Sequence, residues 1–311
     1  MDYSVLLVTI MRLAVLLGIG MFLTYKISFS ADVRKFMIFV IINIALPAII
    51  LHGFLQVEID DHLMQQIVMI FIFSLIFNLA GLLLGYIFGK SIGLDSLKAR
   101  ETGFLAIFGN TGLIGIPFCA ALFGAKGAVF AAVFDAGMSL TLWTVGALMI
   151  RGKTKLTLNN LKSMISVPNV AVVIGLTITV FQINPGFFIK DVTATLAGAS
   201  SPLAMFYIGM LTMTIIREKK KISAKLIAIP VTFKLLIFPL LGVIALSMLS
   251  LSNEVEQVLL VEMAMPAVTS ASIILALYNA DENYGVMNTL FTNLLSLLTI
   301  PLIFFIGSIW I

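Results

Sequence analysis

Two stretches of this chain gather glycine, proline and small polar side chains inside otherwise apolar sequence. One reads Gly109-Asn110-Thr111-Gly112-Leu113-Ile114-Gly115-Ile116-Pro117, the other Met263-Ala264-Met265-Pro266-Ala267-Val268-Thr269-Ser270-Ala271-Ser272. Proline removes a backbone donor and clashes with the preceding turn, and glycine weakens a helix by about 1 kcal/mol. A helix carrying such a run opens. Its half-helix ends then offer free N–H groups and a positive dipole end, which suit an anion. The Asn110 amide and the hydroxyls of Thr111, Thr269 and Ser270 can add hydrogen bonds. Glu262 stands four residues before Pro266, one helical turn from the break. Its carboxylate can ligate a sodium ion together with opened carbonyls and Asn110, or carry a proton.

Four more ionisable groups, Arg12, His52, Asp135 and Lys234, lie within apolar runs. A charge at the centre of a bilayer costs at least about 2.5–3.5 kcal/mol, so each asks for a role. Asp135 is the second candidate for ion coupling. Lys234 can neutralise Asp135 or Glu262, or attract a substrate carboxylate; a structural ion pair explains it equally well. Arg12 reads as a structural pairing or a further anion contact, and His52 as an interfacial histidine. Asn43 and Pro47, with Pro202, suit the kinked polar wall of a cavity. Asn288, Thr292 and Ser296 share one helix face beside Asn293, as further lining or as interhelical hydrogen bonding. Enzyme chemistry finds no footing: the lone Cys119 and the two histidines, His52 and His62, make no metal or nucleophile cluster, and no acidic residues are paired in mid-span. No phosphate-binding loop is present, which argues against ATP-driven pumping by this chain.

The elements that must carry these residues are set by composition. Of 311 residues 60% are hydrophobic and 11% charged, with a mean hydropathy of +1.13. Soluble domains run near half apolar and a quarter charged; this chain fits the bilayer. Ten candidate spans follow at 3–25, 35–56, 63–89, 101–123, 127–150, 166–183, 192–216, 223–250, 254–279 and 284–310, each expected to cross the hydrocarbon. Fifteen of the 19 basic residues fall in alternate loops: Lys26, Arg34 and Lys35; Lys90, Lys98 and Arg100; Arg151, Lys153, Lys155 and Lys162; Arg217, Lys219, Lys220, Lys221 and Lys225. By the positive-inside rule those loops are cytoplasmic and both termini lie outside, in a multi-pass protein of the cell membrane. Glu58, Asp60, Asp61, Glu254 and Glu256 make the opposite side acidic. The pI of 9.1 is therefore loop charge, not a nucleic-acid surface.

The halves also match. Gly20 pairs with Gly175 and Pro47 with Pro202 at an offset of 155, and Gly85 with Gly242, Phe134 with Phe291 and Ser139 with Ser296 at 157. Five helices are an odd number, so two such units in series, 1–155 and 156–311, enter the membrane from opposite faces as inverted repeats. Interrupted helices at matching positions of two repeats point to a transport site.

The run Gly109–Phe118, the run Ala264-Met265-Pro266-Ala267 before a Thr/Ser-rich helix, and Ala45-Leu46-Pro47-Ala48 resemble the auxin efflux carrier family of bacterial permeases. The likeness spans essentially the whole chain, without the long central loop of plant PIN-formed carriers. It extends more distantly to bile-acid sodium symporters, where Glu262 resembles a sodium-binding glutamate, and to sodium/proton antiporters. It implies an all-α integral membrane protein of ten helices in two inverted five-helix repeats, with broken helices four and nine crossed. It also implies a secondary carrier of organic anions such as malate, malonate or auxin-like acids, and a homodimer. Met265-Pro266 departs from the Asn-Pro of the plant carriers. The expected substrate-binding set is Asn43, Pro47, Asn110, Thr111, Gly112, Pro117, Met265, Pro266, Ala267, Thr269 and Ser270. The ion-coupling set is Glu262, Asp135 and Lys234. A proton or sodium ion drives transport, and no cofactor is expected. The alternatives are a cation/proton antiporter on a similar fold and a membrane receptor without transport.

Overall fold

Caps and breakers set where the helices begin and end. The computed structural model describes residues 3–57, 60–152, 165–218, 224–249 and 251–310. Glu58, Lys153, Lys155, Lys162 and Lys219, Lys220 and Lys221 lie outside the described residues. The described helices are α1 (Tyr3–Leu23), α2 (Ala31–Gln56) and α3 (Asp61–Ser91), and α4 (Ser96–Ile107). Helical bonding then runs through Thr111–Arg151, but Gly124, at φ 66° and ψ −148°, breaks it into α5 (111–123) and α6 (125–151). There follow α7 (Val167–Val180), α8 (Phe187–Glu218), α9 (Leu226–Ser247), α10 (Asn253–Met263), α11 (Ala271–Leu277) and α12 (Glu282–Trp310). Among the described residues there is no strand, only one isolated bridge. Six runs are long and apolar enough to cross a membrane: Ala31–Gln56, Asp61–Ser91, Thr111–Arg151, Phe187–Thr214, Leu226–Ser247 and Glu282–Trp310. A multi-pass membrane protein follows.

One expected span is shorter than its range. Helix α7 has 14 residues, about 21 Å at 1.5 Å per residue, against a hydrocarbon core of about 30 Å. Ser166 starts it, its hydroxyl accepting from Asn169 N with Pro168 in the first turn, and Gln182 at φ 50° ends it.

Three prolines leave the same mark. Five-residue π turns at Ile41–Ala45, Thr111–Gly115 and Phe233–Ile237 each end two residues before a proline: Pro47, Pro117 and Pro239. Widening the turn there accommodates the ring and the missing donor without ending the helix.

The chain packs as two compact units. The first comprises Met1–Ile70, Thr111–Ala136 and Ser166–Arg217, the second Phe71–Asn110, Gly137–Ile165 and Glu218–Ile311. Each draws on both halves of the sequence. In the first, α2 lies on α7, where a Cβ at Gly175 would strike the Phe54 ring and Thr179 donates to Phe54 O at 3.2 Å. Helix α1 meets α8 at Gly20, which faces the Phe206 backbone, and Arg217 Nη1 donates to Thr24 O at 3.0 Å. In the second, Gly85 of α3 brings its would-be Cβ within 3.0 Å of Gly103 Cα in α4, and Gly242 of α9 leaves room for Met263 of α10. Small residues permit this close approach, as is usual between helices in lipid.

Candidate functional site

The second unit brings the start of the first broken stretch, Gly109 and Asn110, against the second stretch. Asp95 caps α4, accepting from Leu97 N and Lys98 N, and these bonds hold its carboxyl below the usual carboxylate range. Helix α4 ends at Ile107, Phe108 turns extended, and Gly109 forms an antiparallel bridge with Ala267. Asn110 N donates to Pro266 O at 2.7 Å, and Val268 N to Phe108 O at 3.0 Å. Each break thus supplies partners for the backbone groups the other has lost, which buried backbone demands.

Side chains complete that accounting. Thr292 of α12 accepts from Ala267 N at 3.1 Å and Asn288 donates to Leu105 O at 3.3 Å. Lys234, about 1% exposed, donates through Nζ to Ile107 O at 2.9 Å. It lies over the Phe238 ring at 4.9 Å and interacts electrostatically with Glu262, which is fully buried. An ammonium at the last carbonyls of α4 sits at the negative end of its dipole. Of the two acids expected as partners of Lys234, Glu262 is the one that acts on its charge.

Four buried amide atoms remain without a hydrogen bond among the described residues: Asn110 Nδ2, Asn288 Oδ1, and Nδ2 and Oδ1 of Asn293. Orphaned polar atoms of this kind are uncommon in native structures and each asks for a reason. Met265 and Ala267 are fully buried, Pro266 is buried, and Thr269 and Ser270 are half-buried at the start of α11.

The first unit holds the remaining expected residues. Asp135 of α6 accepts from the Thr111 hydroxyl at 2.5 Å and from the Gly112 backbone N–H, at the amino end of α5. A Cβ on Gly112 would lie 3.0 Å from Asp135 Oδ2, so glycine is what lets the carboxylate in. Ser200 donates to Ala45 O at 2.6 Å and Ser201 to Pro117 O at 2.9 Å, tying the kinked turns beside Pro47 and Pro117 to α8. Asn43 spends its amide on Phe39 O, one turn back in its own helix, at 3.0 Å. Arg12 is exposed on α1, and His52 is half-buried.

Sequence reasoning passed over one cluster. Lys98 bonds Glu101 at 2.7 Å and Asp281 at 2.6 Å, and Asp281 N donates to Glu101 Oε1 at 2.9 Å. These carboxylates hold the Lys98 ammonium above its ordinary value, against partial burial, and Lys98 draws the Asp281 carboxyl down. Thr102 and Tyr284 share a hydrogen bond at 2.9 Å beside it. By sequence alone Lys98 counts only as loop charge. The signal was Glu101, an acid at the edge of an apolar run. Among the described residues no group of three His, Cys, Asp or Glu is placed to hold a metal ion.

Apolar helices interrupted by buried polar backbone, with charges held inside them, are those of a multi-pass membrane protein. A family model described as "Membrane transport protein" matches residues 5–163 and 154–304; the chain belongs to this family, that of the auxin efflux carriers. It is similar to an uncharacterised transporter of Methanothermobacter thermautotrophicus, 24% identical over 264 residues and 85% of each chain. It is also similar to an uncharacterised transporter of Methanocaldococcus jannaschii, 27% identical over 229 residues, 71% of this chain and 72% of the relative.

Proposed function

We propose that this chain is a secondary carrier of small organic anions that works by alternating access in the cell membrane, with a proton as coupling ion. The observation that carries the reading is the paired break at Gly109 and Ala267, with the unbonded Asn110 and Asn293 amides beside it. Opened backbone is tolerated at membrane depth where it is buried in protein or lines a cavity, and paired breaks of this kind form transporter binding sites. Amide N–H groups suit a carboxylate. The donors at the amino end of α5 already hold one, that of Asp135. Lys234 favours a proton over sodium, because a tethered cation already bonds the Ile107 carbonyl and pairs electrostatically with Glu262.

The ten-helix arrangement in two inverted repeats belongs to the same proposal. Matched glycines in the two halves do matched work. Gly20 admits α8 to α1 and Gly175 admits α2 to α7, while Gly85 and Gly242 pack the helices that precede the two breaks. Under that reading α4 with α5, and α10 with α11, are the fourth and ninth spans.

Reconstitution in liposomes tests it. Malate, malonate or a monocarboxylate moves down its gradient, and an imposed pH gradient drives its accumulation where a sodium gradient does not. Glu262→Gln abolishes accumulation while leaving folded yield nearly intact. Inertness to a broad organic-acid panel overturns the carrier reading; sodium-driven accumulation overturns the proton.

A further inference from the structure

A groove of about 460 Å³ opens on the second unit among α3, α4 and α6, within the size range of small-molecule sites, about 300–1,000 Å³. Leu79, Leu83, Val145 and Leu148 form its walls, and Arg100 and Gly152 stand at one end. Leu79, Leu83 and Val145 are each 40% exposed or more, so the groove faces whatever surrounds the helices. Arg100 is held in place by its own helix, Nε donating to Ser96 O at 3.0 Å. Its guanidinium lies against Gly152, where a Cβ would strike Nη1. Gly152 has a left-handed φ of 64° and ends α6, so both the turn and the space for Arg100 require glycine there.

Charged groups of both signs flank that end, with Asp95 capping α4 and acting on Lys90. Lys90 reaches Ser96 Oγ at 3.4 Å, and Arg151 lies over the Tyr278 ring at 5.8 Å. An open apolar trough closed at one end by a fixed guanidinium matches one ligand available to a membrane protein. We propose that it binds a phospholipid with an anionic headgroup, the acyl chain lying along Leu79, Leu83, Val145 and Leu148 and the phosphate on Arg100. A guanidinium grips phosphate oxygens in a planar fork, and basic pockets between membrane helices recognise anionic lipids in this way. The site braces α4, which carries Arg100 at its start and the break beyond its end.

Native mass spectrometry of the detergent-purified full chain tests the site, with phosphatidylglycerol and phosphatidylcholine of identical acyl chains and with glycerol 3-phosphate. The wild type retains phosphatidylglycerol about fivefold more tightly than phosphatidylcholine, the scale expected for one basic side chain, and glycerol 3-phosphate does not displace it. Arg100→Gln removes the preference. Val145→Trp, which fills the trough, weakens retention of both lipids. Monodisperse elution shows that each variant is folded, and Val145→Trp decides the matter if Arg100→Gln is not. The proposal is overturned if folded Arg100→Gln keeps the preference, if Val145→Trp retains both lipids undiminished, or if glycerol 3-phosphate alone competes.

Discussion

Asn110 and Asp135 are buried polar residues of the same interrupted run and its sequel, but their hydrogen-bond states differ, and so do the expected consequences of changing them. The Asn110 side-chain N–H groups have no bond to lose among the described residues. Asn110→Ala therefore costs less in thermal stability than in carboxylate binding, which weakens by about 1.5–3 kcal/mol, roughly ten- to a hundredfold. Asp135 already accepts from Thr111 and Gly112. Asp135→Asn gives up a charge-assisted bond and costs about 1–3 kcal/mol of stability, while proton-driven accumulation falls and passive exchange persists. Thermal unfolding with and without malonate, set beside counterflow in liposomes, separates the two. A stability loss at Asn110 larger than its binding loss makes that residue a packing group.

At the scale of helices, contact is decided where side chains are missing. Gly85 and Gly242 stand where a Cβ would meet the neighbouring helix, whereas Gly18 and Gly198 have nothing within 4 Å of theirs. Gly85→Val and Gly242→Val each cost about 1–3 kcal/mol by overpacking; Gly18→Ala and Gly198→Ala are neutral or stabilise by about 0.5–1 kcal/mol. Unfolding in detergent measures all four, and equal effects at the two kinds of glycine would refute the packing role. The cluster of Lys98, Glu101 and Asp281 ties the start of α4 to the start of α12. Removing Lys98 leaves Glu101, which is about 1% exposed, without its counter-ion, so Lys98→Met costs about 1–3 kcal/mol. The Asp281 carboxyl is lowered from 3.8; its contribution is complete above that value and is lost as pH falls through the lowered one. The Lys98 ammonium is raised from 10.5; its contribution is complete below that and is lost as pH rises through the raised value. The Lys98→Met deficit is therefore constant from about pH 5 to pH 9, and a deficit that varied across this window would deny the cluster its role. Of these contacts, sequence announced the breaks, because Gly, Pro, Asn and Thr contrast with the apolar background, and the buried charges, because so few exist. It could not announce that Thr111 meets Asp135, since that contact depends on Gly124 leaving helical geometry and reversing the order in which faces are presented. Nor could it show that α7 stops short, because Phe181 and Ile183 continue the apolar run while Gln182 turns the backbone.

Across the whole molecule, charge counting proposes which face of the membrane each end of the helices meets, in a form that one cysteine makes testable. Cys119 is buried, so its replacement by serine gives a background with no other thiol. Single cysteines at Lys126 and Lys190 belong to the side proposed as outside, and cysteines at Lys90 and Lys26 to the basic side. Fifteen basic residues of 19 on one set of loops amount to a strong orienting bias, since such loops resist translocation. An impermeant maleimide added to intact cells labels the cysteines at 126 and 190 and spares those at 90 and 26; permeabilised cells label all four. Lysine at 190 lies beside Asn184 and Gln182 in a cavity of about 510 Å³ in the first unit, so its reagent access also reports whether that cavity opens to the outside. Labelling of position 90 in intact cells would invert the topology and place both termini in the cytoplasm. Labelling of 126 without 190 would break the odd-helix argument itself, because an inverted pair of five-helix repeats requires the loops that carry them to share a face.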